Sequence, residues 1–166
     1  NVKVTPVSKT SWIFLSTGDR IRLTPLVIND ESIAAKWDSF SLLPPMSLPL
    51  ELCHGIMMSV PSSARDQGRN FDQLLNHQKE FDLITLSNGD SIEGEFVSLK
   101  DGQFTLDTSI GEVQTRTDQT QSLAFNPDLV SIPEARQSFA VLVLSDGSTL
   151  YVRSVSSDGD LIIAES

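Results

Sequence analysis

Cys53 and His54 stand side by side in this sequence, and their types could make a nucleophile with its base, or two ligands of a metal ion. Their spacing argues against both. The pair follows Leu50 and Leu52 into an apolar run that ends Ile56-Met57-Met58, which reads as a strand. Neighbouring strand residues point to opposite faces, so the thiol is predicted to be buried and the imidazole to lie outside. Cys53 is the only cysteine, which excludes an intrachain disulfide and a cysteine-based metal site. His77 falls near the end of a predicted helix, where a cation interacts favourably with the dipole. The acidic turns Asn29-Asp30-Glu31, Asn88-Gly89-Asp90 and Asp158-Gly159-Asp160 offer oxygens, but none has the ligand spacing of a calcium loop. Asn, Asp and Gly are also what tight turns require. The sequence therefore predicts no catalytic constellation, no metal and no cofactor.

Contact chemistry is better represented. Trp12, Trp37 and Tyr151 could form a platform on which sugars or peptides stack, or could pack one structural unit against another. Trp12 and Phe14 share a strand face at positions equivalent to Val141 and Val143, which suggests a contact surface common to the first and last parts of the chain. The segment Leu42-Leu43-Pro44-Pro45-Met46 is too apolar for an ordinary loop and too rich in proline for a central strand. Leu42, Leu43 and Met46 are therefore candidate partner-binding residues, the alternative being that the loop folds back on its own unit.

The elements that must position these residues announce themselves by repetition. Leu15-Ser16-Thr17-Gly18-Asp19-Arg20-Ile21, Leu86-Ser87-Asn88-Gly89-Asp90-Ser91-Ile92 and Leu144-Ser145-Asp146-Gly147-Ser148-Thr149-Leu150 superpose without a gap, and each reads as a β-hairpin turn between alternating strands. The middle unit is the most regular. Turns at Asn88-Gly89, Asp101-Gly102, Gly111 and Thr117-Asp118 separate five short strands. The alternation slips by one between Phe96 and Val97, as where a bulge curls a sheet. Gly94 would permit the same bend. In the first unit Ile13 and Leu15 lie on one strand face with Trp12 and Phe14 on the other, so both faces should be covered.

These patterns predict a mainly β protein of tandem small barrels with one short connecting helix. The first unit spans 1–60, with a Pro-rich insertion at 39–49, and residues 61–80 hold the helix, where Ser63 and Asp66 suggest a capping box. The second unit spans 81–126, a linker 127–138, and a third, incomplete unit 139–166. An open three-strand sheet needs completion, which Asn1 to Val7, a strand-exchanged second protomer or residues absent from the sequence would supply. The start at Asn1 fits a mature product or a cut piece of a longer chain.

Composition narrows the partners. A formal charge of −10 would repel a polyanion, so nucleic acid is excluded as an expected partner. No apolar run approaches the roughly 20 residues of a membrane span.

A helix followed by strands carrying Leu86, Asn88-Gly89, Ile92, Gly94, Leu99, Asp101 and Phe104 resembles the Sm-like, SH3-like small-barrel fold over about 45 residues. RNA-binding members of that family use basic and aromatic residues between their last two strands. Here Thr115-Arg116-Thr117-Asp118-Gln119 has one cation and no aromatic, and eight acids stand against Lys100 and Arg116 between Phe81 and Phe125. The longer arrangement, from Leu50-Glu51-Leu52-Cys53-His54-Gly55-Ile56 through the helix to Leu86-Ser87-Asn88-Gly89-Asp90, looks like a group of uncharacterised exported bacterial repeat proteins. That resemblance implies a periplasmic or cell-surface location. Two functions follow as expectations: a noncatalytic binding or scaffold module for a protein partner or neighbouring domains, or a carbohydrate-recognition module using exposed aromatics.

Overall fold

The computed structural model describes residues 11–40, 42–59, 63–132, 140–158 and 161–165. Wherever apolar residues alternate, the chain runs as strand. The first set comprises β1 (Ser11–Leu15), β2 (Arg20–Ile28), β3 (Ser32–Lys36), β4 (Met46–Pro49) and β5 (Cys53–Met57). A helix α1 (Ala64–Leu75) follows, and then β6 (Asp82–Leu86), β7 (Ser91–Lys100), β8 (Gln103–Thr108), β9 (Gly111–Arg116) and β10 (Thr120–Ala124). β11 (Ala140–Val143), β12 (Thr149–Val152), β13 (Ser154–Asp158) and β14 (Leu161–Glu165) complete the described strands.

The two five-stranded sets share one connectivity. Each strand pairs antiparallel with the next through the fourth, and the fifth returns to the first, β5 to β1 and β10 to β6. Each long second strand is interrupted by a bulge at the same place, between Pro25 and Val27 in β2 and between Phe96 and Ser98 in β7. Leu26 and Val97 are the extra residues and face out. A proline fits such a bulge because no ladder bond is asked of its nitrogen.

Equivalent residues also meet across the seam between the sets. Ile56 of β5 lies opposite Leu123 of β10, and Ile28 of β2 opposite Leu99 of β7, as a local two-fold axis would place them. The pairings therefore run in a ring, β1-β2-β7-β6-β10-β5. Inside lies one continuous core that draws on both sets, with Ile13, Leu23, Ile28, Ile84, Leu99 and Leu123 all buried. Burial of each such side chain contributes about 1.5–3 kcal/mol.

β1 is covered on both faces, as its sequence requires. Trp12 and Phe14 turn away from the ring onto Met57, Ala124 and Leu74 of α1, with Phe71 edge-on to Phe14 at 4.9 Å. Ser63 caps α1 by accepting from the Asp66 N–H. Gly55 admits the helix: a Cβ there would stand 2.5 Å from the Leu123 carbonyl oxygen and 3.0 Å from Leu74.

Several boundaries differ from those predicted. The insertion at 39–49 contracts, because Met46–Pro49 forms the edge strand β4, where Pro49 can end a ladder without donating. The strand expected from Leu50 begins at Cys53, after a 3-10 turn over Leu50–Leu52. The helix ends at Leu75, where Asn76 folds its amide back to the Asp72 carbonyl, so His77 lies beyond it. The linker includes a 3-10 turn at Pro127–Leu129, capped by Asn126. The third region holds four strand segments, and among the described residues β14 pairs with β13 alone. Asn1 to Val7 lies outside the described residues.

Candidate functional site

The three predicted turns are superposable in detail. In each the leucine N–H donates across the turn, Leu15 to the Asp19 carbonyl, Leu86 to that of Asp90 and Leu144 to that of Ser148. Each glycine is left-handed, Gly18 at φ +91°, Gly89 at +92° and Gly147 at +88°. Their surroundings separate them.

Two of the corners dock on each other. β12 pairs with β2 at Thr149 and Arg20, the same position in each turn. The side chain after one glycine accepts a backbone N–H of the other strand in both directions: Ser148 Oγ from Arg22 at 2.9 Å, and Asp19 Oδ1 from Tyr151 at 2.5 Å. The bare face of Gly18 meets the Tyr151 ring and that of Gly147 the Trp12 ring. Arg20 lies over Trp12 at 4.7 Å and over Phe71 at 5.6 Å, with a guanidinium N–H directed at the Gly147 carbonyl. Trp37 Nε1 donates to Asp146 Oδ2 at 2.9 Å, while Asp146 Oδ1 accepts the Ser148 N–H. Partial burial would raise the Asp146 carboxyl, but donation from Trp37, Ser148 and Ser39 outweighs it and holds the group below its usual range.

The three candidate aromatics thus come to the contact between the first and last regions, and do not form a shared open face. Trp12 is buried, Trp37 is half-buried with Phe40 edge-on at 4.8 Å, and Tyr151 stands at the rim against Gly18. The apolar loop divides. Met46 enters β4 and packs on the core, whereas Leu43 is exposed and Leu42 is 99% exposed at the tip of a turn closed by Leu43 N–H to the Phe40 carbonyl.

Cys53 and His54 diverge. The thiol is fully buried and pushed up to about 12 by desolvation, which leaves no thiolate at neutral pH. Half-burial lowers the His54 imidazole. His77 Nε2 bonds the Phe81 carbonyl instead of a helix end. Among the described residues no three His, Cys, Asp or Glu side chains are grouped to hold a metal, and no helix is long and apolar enough to cross a membrane.

One feature escaped the sequence reading. A cleft of about 490 Å³ lies beside the first half of β7, walled by Glu80, Asp82, Glu93, Glu95, Asp107 and Leu129. Asp82 is its fixed floor: it is buried, and its two oxygens accept the N–H groups of Phe96 at 2.6 Å and Asn126 at 2.7 Å. Gly94 leaves room for the Asp107 carbonyl, 2.5 Å from where a Cβ would stand. The available signal was the excess of acids between Phe81 and Phe125, but they are scattered along the chain and converge only when β6, β7 and β8 pair.

No protein-family model matches the chain, and no curated protein is detectably similar to it. The geometry alone must carry a functional reading.

Proposed function

We propose that this chain is a noncatalytic binding or scaffold module of an exported bacterial protein, built of tandem Sm-like or SH3-like five-stranded units that present strand edges and loops to a protein partner or to neighbouring domains of the same polypeptide. The observation that carries the reading is the docking within the chain itself. β12 is held on β2 by one ladder pair and two reciprocal backbone-to-side-chain bonds, without any titrating group having to act chemically. Strand addition of that kind is a recurrent mode of peptide recognition, with main-chain bonds giving affinity and side chains giving choice. Edge strands β4 and β9, each paired on one side among the described residues, and the exposed Leu42-Leu43 tip offer further places for it.

The helix followed by five strands, with the first and fifth paired and the second bulged, supports the small-barrel part of the proposal. The shared core supports reading the two sets as one rigid body. A carbohydrate platform is less favoured, because Trp12 lies buried under Arg20 and Trp37 is tied to Asp146.

Photo-crosslinking from position 42 and from the β9 edge at Glu112 tests the reading, with envelope proteins as prey and adducts identified by mass spectrometry. A defined adduct that unlabelled chain competes away is expected. Absence of any competed adduct, or turnover of a substrate by the purified chain, would overturn it.

A further inference from the structure

The corner at Asn88-Gly89-Asp90 repeats the geometry of the two docked corners, but among the described residues no strand is docked on it. Among the described residues no atom outside its chain neighbours comes within 4 Å of a Cβ placed on Gly89, and Asn88 and Asp90 bond to each other. Among the described residues the first half of β7 pairs with β6 alone. The direction of its backbone groups follows from the turn. The Asp90 carbonyl faces β6, where it accepts the Leu86 N–H, and successive strand residues alternate sides, so Ser91 and Glu93 direct their N–H and C=O groups outward. In the first set the equivalent residues are Arg20 and Arg22, whose outward groups are taken by Thr149 and Ser148.

The frame is the same and the charge is reversed. Where β2 carries Arg20 and Arg22, β7 carries Ser91 and Glu93, and the acidic cleft opens along the same edge. Lys79 pairs with Glu93, and Glu80, Glu95 and Asp107 line the cleft along the path of any added strand. A second copy of this corner would set Asp90 and Glu93 against their own kind.

We propose that the β7 edge at Ser91–Gly94 is a docking site for an extended basic segment of a protein partner, which adds a strand there and lays alternate Arg or Lys side chains into the acidic cleft. The proposal rests on the binding-module reading and names its partner chemistry. The added strand runs in line with β8 beyond Thr108, as β12 stands to β3 on β2. Main-chain bonds to Ser91 and Glu93 fix its register, and the carboxylates select its charge.

The test uses the full chain and three synthetic peptides, alternating Arg-Val, alternating Glu-Val, and alternating Arg-Val N-methylated at its arginines, the last matching the first in charge but lacking the N–H groups that would face Ser91 and Glu93. The Arg-Val peptide is expected to bind, to slow amide exchange at Ser91 and Glu93, and to bind at least tenfold more tightly than either other peptide. Glu95→Gln with Asp107→Asn should weaken it at least fivefold while leaving the fold, read by circular dichroism, unchanged. Equal binding of Arg-Val and its N-methylated form would reduce the site to unspecific charge attraction and overturn the proposal, as would self-association of the chain through this edge. Peptide-induced shifts confined to Leu42-Leu43 or to β4 or β9 would overturn the proposal and leave the binding-module reading standing. Silence of all three peptides together with no competed crosslink would remove both.

Discussion

The docked corner at Gly18 and the open corner at Gly89 have the same backbone and opposite circumstances. Both glycines sit near φ +90°, and both turns close with the same pair of hydrogen bonds. Around Gly18 the chain supplies a strand, two reciprocal acceptors and an aromatic ring; around Gly89 no described residue beyond its chain neighbours comes within 4 Å of a Cβ, and Asn88 and Asp90 bond to each other. Turn geometry is thus set locally, by Gly and the residue after it, while docking depends on what stands at the outward positions of the following strand. Arg20 at such a position reaches Trp12 and Phe71, whereas Ser91 is exposed and Glu93 pairs with Lys79 at the wall of an acidic cleft.

The comparison presupposes that the two five-stranded sets are rigidly joined, and Gly55→Ala is the way to break it. Its Cβ would be driven to 2.5 Å from the Leu123 carbonyl oxygen, a backbone atom in the facing strand that cannot swing aside. Either β5 parts from β10 or Leu74 and α1 are displaced, so a loss of about 3 kcal/mol is expected. Urea denaturation measures it; a loss under about 1 kcal/mol would mean that the seam is loose and that the two sets should not be compared as parts of one body.

A smaller effect sharpens the comparison directly. Gly89→Ala and Gly147→Ala impose the same left-handed strain, of about 1–2 kcal/mol. The first meets open space, but the second sets its methyl 3.2 Å from a Trp12 ring atom, and Trp12 is held beneath Arg20. Gly147→Ala should therefore cost about 1 kcal/mol more than Gly89→Ala in the same denaturation series. Equal losses would show that the docked corner is no tighter than the open one.

What was legible in the sequence follows this division. Alternation, Asn-Gly and Asp-Gly turns and the slip at Phe96 and Val97 are local signals, and they located the strands, the bulge and the turns of the second set closely. The burial of both faces of β1 was legible for the same reason, since Trp12-Ile13-Phe14-Leu15 leaves no face for water. Met46 was misplaced in a loop because the two prolines before it obscure a four-residue edge strand whose partner, β3, is distant in sequence. The acidic cleft was out of reach for a related reason: Glu80, Glu95 and Asp107 have no periodicity and meet only through strand register. Trp12, Trp37 and Tyr151 were singled out by type, as residues able to stack on a ligand or on a neighbouring unit, but sequence could not show which neighbours inside the chain they meet.

The smallest predicted effect concerns the acid side of the docked corner, where the open corner offers a built-in contrast. Asp146 is held below its usual range by donors from Trp37 and Ser148, so its folded value lies under the ordinary 3.8. A depressed carboxyl contributes stability that is fully present above the unfolded value and is lost as pH falls through the folded one. Acidification should thus loosen Trp37 from Asp146 below pH 3.8. Because the chain has two tryptophans, the indole N–H resonances report it directly: the Trp37 signal should move upfield with a midpoint below 3.8, and the Trp12 signal should not follow it. In Asp146→Asn the amide oxygen can still accept from Trp37, and the acid-dependent shift should vanish. A midpoint above 3.8, or a shift that survives the substitution, would detach the Trp37 contact from the charge on Asp146 and leave the corner held by Ser148, Asp19 and the Arg20 stack.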